Sequence, residues 1–161
     1  MLVAAGIWLG NLGGTPCAQA VESFTAAHAE LVTVPIVCEP SGPSGFGAQY
    51  DTRAQVIHVY PAGAVDYSAV IAHELGHAWS AGHFSFRTYA LVRGFATPDT
   101  LAAFLPGNLG LLAEDYAETF AWSIGEWADL GGPSPYAFHT IAGPPTEGQV
   151  FWLRLYGVLP R

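Results

Sequence analysis

The stretch VIAHELGHAWSAGHFSF, residues 70–86, holds three histidines and one glutamate, and their spacing decides how the chain is read. His73 and His77 are four apart, with Glu74 between them. On an α-helix, residues four apart share a face with ~5–6 Å between Cβ atoms. Two imidazoles so placed can close on one zinc ion at ~2.0–2.1 Å. Glu74 is turned by about 100° around the axis, so it reaches a water on the metal rather than the metal itself. Val70-Ile71-Ala72 give the motif an apolar lead, and Asp66 is the N-cap candidate. Together they predict a helix from there to about Ala81, with Gly82 as the residue after its C-cap.

A catalytic zinc site takes three protein ligands and keeps a fourth position open. His83 is one candidate for the third, ten residues after His73 as in the extended H-E-x-x-H-x-x-G-x-x-H pattern. Against it, the turn glycine of that pattern would fall at Ser80, and the methionine turn is impossible because the only methionine is Met1. Glu114, 37 residues after His77 in LLAEDYAETFAW, is the preferred ligand. It and Glu118 are four apart on a predicted helix that is otherwise almost free of charge: Leu111, Leu112, Ala113, Ala117, Phe120, Ala121, Trp122, Ile124. Carboxylates in such surroundings need a partner, and a cation supplies one. Glu118 would then accept the N–H of a ligand imidazole and fix its tautomer.

HELGH followed by a helix reading E-x-x-A-E-x-F-A resembles the gluzincin branch of zinc metallopeptidases. The pattern is similar to the catalytic domain of anthrax lethal factor and to the repressor-cleaving HELGH peptidases of mobile elements. The match covers residues 66–81 and 111–124, about a fifth of the chain. The resemblance implies His73, His77 and Glu114 as zinc ligands and peptide-bond hydrolysis by a zinc-activated water, with Glu74 as general base. It implies an α+β fold of minimal zincin type: a small mixed or antiparallel sheet on an active-site helix, then a mainly helical C-terminal part. Lethal factor has a tyrosine seven residues before its ligand glutamate, where this chain has Gly107. Tyr136 and His139 are therefore the candidates for stabilising the oxyanion, with Tyr89 and Arg87 behind them. The alternatives are a metzincin-like peptidase using His83 and a non-catalytic zinc-binding interaction module with all four positions filled.

Around this motif, Thr15-Pro16 reads as N-cap and first residue of a helix whose face carries Val21, Phe24, His28 and Leu31. His28 on that face reads as a core histidine. Residues 31–38 form a strand bent at Pro35, 39–47 a loop, and 48–61 a hairpin turning at Asp51-Thr52-Arg53. The segment 54–61 is expected to be the edge strand that holds an extended substrate, with His58 on its polar face. Downstream, a short helix over 98–105 should end at Pro106-Gly107, and a long one over 109–132 at a Gly pair. After a loop over 132–145, Thr146 and Gln149 form a capping box for a last helix stopped by Gly157. No linker or repeat interrupts residues 1–161, which read as one domain.

The 161 residues carry a formal net charge of −8, and all five basic residues are arginines (Arg53, Arg87, Arg93, Arg154, Arg161). No basic face for nucleic acid can be built from these, and no run approaches the ~20 apolar residues of a membrane span. The expected partner is a peptide or protein substrate, acted on by a monomer. The opening MLVAAGIWLGNLGG is apolar without Lys or Arg, so it lacks the basic start of a secretory signal and reads as the beginning of the folded part. Cys17 and Cys38, at the start of the first helix and the end of the first strand, are read as one disulfide, with an extracellular or cell-envelope location.

Overall fold

A computed structural model describes residues 15–42, 47–60, 66–83, 86–126 and 143–161. The opening stretch 1–14, the expected helix end at Gly131-Gly132, and Tyr136 and His139 lie outside the described residues. The architecture is mixed α+β, with five helices and one three-stranded mixed sheet among the described residues. Chain contacts define two compact units, Met1–Trp79 and Ser80–Arg161, and the division falls inside one helix.

In the first unit, α1 spans Pro16–Ala27, with Thr15 as N-cap accepting from the Ala18 N–H at 3.2 Å. Cys17, Ala18, Val21 and Phe24 form its buried face. His28 is the C-cap, half-buried with its ring 4.8 Å from that of Phe24. Strand β1 is short, Ile36–Cys38, because Pro35 interrupts the expected 31–38 run. Strands β2 (Ala48–Asp51) and β3 (Val56–Val59) form the expected hairpin. The Asp51 carboxylate accepts from the Arg53 and Ala54 N–H groups at 2.7 and 2.8 Å, which ties the turn.

The sheet order is β1-β3-β2, with β1 parallel and β2 antiparallel to β3. This corrects the reading of 54–61 as the edge strand: β3 is central and paired on both sides, so its backbone groups are taken. Sequence alternation marks a strand but says nothing of its position in the sheet. Ala48, Tyr50, Ile57 and Val59 are buried on one face. Gln49 and His58 face each other in the register on the opposite side, where His58 Nδ1 pairs with Glu39 at 2.6 Å.

Cys17 and Cys38 are joined by a disulfide that ties α1 to β1 across a separation of 21 residues. Closing a loop of that length in the unfolded chain is worth about 3 kcal/mol. The Cys17→Ser/Cys38→Ser variant is therefore expected to unfold with ~3 kcal/mol less stability by urea titration. A loss under about 0.5 kcal/mol would show that the bridge constrains little.

Helix α2 spans Tyr67–His83, two residues beyond the expected end. Asp66 caps it, accepting from the Ala69 N–H at 3.2 Å. Gly82 is helical rather than the terminating residue.

In the second unit, α3 spans Phe86–Arg93, a helix that the sequence pattern does not announce. Its stop is Gly94, in the left-handed region at φ 78°, with the Phe95 N–H donating back to Ala90. Helix α4 spans Leu101–Ser123 as one element. This corrects the expected break at Pro106-Gly107 and the expected end at the Gly pair. Pro106 is the sixth residue of the helix and costs it one N–H bond, and the Asn108 side-chain amide donates to the Phe104 carbonyl at 2.7 Å. The stop is Gly125 at φ 82°, with N–H groups of Gly125 and Glu126 returning to Trp122 and Ala121, a Schellman motif. Helix α5 spans Glu147–Leu155 with both halves of the Thr146–Gln149 capping box made, and Gly157 after it at φ 69°. Tyr116 is fully buried against Phe86 and Tyr89, and its hydroxyl donates to the Val158 carbonyl at 2.8 Å.

Candidate metal centre

The site begins with the periodicity of α2. His73 and His77 are one turn apart, and their Nε2 atoms lie 3.2 Å from each other with the rings edge to face. His73 is buried and His77 half-buried. A tetrahedral zinc at ~2.0–2.1 Å from two nitrogens would hold them about 3.3 Å apart, so the observed spacing fits a shared cation without rearrangement. The apolar positions Ile71, Ala72 and Leu75 of the same helix are fully buried, which fixes its rotation.

Glu74 is 7% exposed, and its Oε2 accepts from the backbone N–H of Tyr50 in β2 at 2.7 Å. The donor is a residue of the outer strand, at the edge that β3 leaves uncovered. A buried carboxylate held by one backbone N–H keeps its second oxygen for other work.

Glu114 is exposed on α4, and Glu118, one turn further, is 6% exposed. A ligand nitrogen of His73, one of His77 and a carboxylate oxygen of Glu114 all lie within 4.8 Å of one another. The donor set of two imidazoles and one carboxylate suits zinc chemically.

The other sequence candidates fare differently. His83 is the last residue of α2, and its side chain is not among those described. Its backbone continues the helix, which carries it about 9 Å along the axis from His77 rather than around the turn of the extended pattern. Tyr89 is fully buried and its hydroxyl donates to Asp115 and pairs with Thr119 Oγ1 at 2.8 Å, so it is committed inside the fold and is withdrawn as an oxyanion donor. Burial, followed by the adjacent Asp115 charge, pushes the Tyr89 phenol well above its usual range. Arg87 is exposed on α3.

Sequence reasoning missed Arg93 and Asp115. Both side chains are fully buried, and Arg93 meets Asp115 through Nε at 2.9 Å and Nη2 at 3.1 Å. The available signal is an arginine closing the short run Tyr89-Ala90-Leu91-Val92 and an acid beside Glu114, but nothing in the sequence pairs residues 22 apart. No family model, curated protein or solved structure matches the chain.

Proposed function

We propose that the chain is a zinc metallopeptidase of gluzincin type, with His73, His77 and Glu114 as ligands and Glu74 as general base. The observation that carries this reading is the convergence of two imidazole nitrogens and a glutamate oxygen within 4.8 Å, with a buried glutamate next to the first histidine. Zinc bound there would polarise the scissile carbonyl and acidify water. Glu74 takes the proton of the attacking water and returns it to the leaving amine. Because Oε2 holds the Tyr50 N–H, Oε1 is the atom that carries the proton. Glu118 supports the site as an acceptor for a ligand imidazole. The disulfide suits an extracellular or cell-envelope setting, where such bonds persist. Among the described residues no helix is long and apolar enough to cross a membrane.

The test is zinc content after equilibrium dialysis of wild type, Glu114→Ala and His83→Ala. Wild type and His83→Ala are expected to hold one zinc per chain. Glu114→Ala should weaken binding by more than the ~10–100-fold typical of losing a supporting residue. Zinc retained by Glu114→Ala but lost by His83→Ala would transfer the ligand role to His83 and replace the gluzincin reading with a metzincin-like one.

A further inference from the structure

On the reading of Glu114 as a zinc ligand, we infer that the buried cluster of Tyr89, Arg93, Asp115 and Thr119 is a rotational clamp on α4 that positions this carboxylate. Asp115 and Thr119 directly follow Glu114 and Glu118, and each pair is one turn apart. The clamp therefore grips the face about 100° round the axis from the carboxylate face. From α3, Tyr89 and Arg93 present the same one-turn spacing. The Tyr89 hydroxyl bridges Asp115 and Thr119, and the Arg93 guanidinium holds both oxygens of Asp115.

Two of the three remaining N–H donors of Arg93 are also used. Nη1 donates to Gln149 Oε1 at 3.1 Å and Nη2 to the Gly143 carbonyl at 2.6 Å. Gln149 in turn donates to the Val92 carbonyl at 3.1 Å. Three helices thus meet in one polar network. A buried ion pair adds little stability over apolar residues of similar volume, and its best-attested use is to select one arrangement among several. Helix α4 needs such selection. Its other inward residues include Leu112, Ala117, Phe120 and Ala121, apolar side chains, and Tyr116, whose hydroxyl donates to the Val158 carbonyl. Its first half carries Pro106, Gly107 and Gly110, which hold the backbone weakly.

The geometric demand is severe. A rotation of about 20° moves a group ~5–6 Å from the axis by ~2 Å, whereas zinc–ligand distances tolerate ~0.2 Å. The clamp adds directional bonds at Asp115 and Thr119 to the packing of Tyr116 and Phe120, and so narrows the angle at which α4 presents Glu114.

The test measures zinc affinity, by competition with a chromophoric chelator, for Tyr89→Phe/Thr119→Val and for Thr119→Val alone. These remove hydroxyls and leave the Arg93–Asp115 pair intact. Tyr116→Phe is the control: it deletes a buried hydroxyl bond of the same helix, to Val158, outside the clamp. The double variant is expected to bind zinc ~10–100-fold more weakly, Thr119→Val to lose affinity in the same direction by less, and Tyr116→Phe to bind as wild type. Wild-type affinity in the double variant would overturn the clamp while leaving the zinc site standing. Equal losses in the double variant and Tyr116→Phe would overturn it too, as generic loosening of the helix. Wild type that takes up no zinc would bring down the zinc reading itself, and the clamp with it.

Discussion

Glu74→Gln is expected to lower peptide hydrolysis by about 10²–10⁴-fold while the zinc content stays at one per chain. The magnitude is that of removing a general base from a positioned proton transfer. The substitution is close to isosteric, and the amide oxygen can keep the bond from the Tyr50 N–H that the carboxylate makes at 2.7 Å. Folding should therefore survive, and the chemistry should not, because an amide at the Oε1 position cannot accept a proton. Glu74 also lies off the face that carries His73 and His77, so losing its charge leaves the ligand set unaltered. Turnover equal to wild type on a quenched-peptide substrate, at equal zinc occupancy, would remove Glu74 from the mechanism.

What the sequence made legible is what is local. The Thr15 cap, the Asp51 turn, the Asp66 cap and the Thr146–Gln149 box each depend on groups within four residues, and each is present. The same locality brings His73 and His77 together, since one turn of helix suffices. Where tertiary packing decides, the signals misled. Pro106-Gly107 has the composition of a break, yet the helix runs through it: the proline removes one bond, and Leu101 and Leu112, buried on either side, hold the segment to the core. A glycine pair at 131–132 is the stronger stop signal in the sequence, while Gly125, a single residue able to adopt φ 82°, is where α4 stops. The left-handed Gly94 marks the end of α3 in the same way. Strand β3 alternates as an edge strand would, and only the pairing of both its sides makes it central. The grip of Arg93 on Asp115 is invisible for a related reason: a buried charge announces itself in sequence only by being an exception, and its partner is set by the fold.

His77→Ala should abolish both hydrolysis and the response of the protein to zinc. A ligand that binds only the folded state stabilises it by RT ln(1 + [L]/Kd), about 4 kcal/mol at a thousandfold excess over Kd. Wild type with excess zinc is therefore expected to unfold at a higher temperature than wild type with a chelator, and to be inactive in the chelator. Without zinc, the substitution itself should cost little, because His77 is half-buried and α2 is anchored by Val70, Ile71, Ala72 and Leu75 instead. The variant should thus melt near chelated wild type and fail to move when zinc is added. That comparison separates a ligand from a packing residue. Loss of packing would lower the melting point with and without zinc alike, whereas loss of a ligand removes the difference between the two. A zinc-dependent rise in His77→Ala equal to that of wild type would show that the cation binds elsewhere, and the 3.2 Å approach of the two imidazoles would then be a contact between rings.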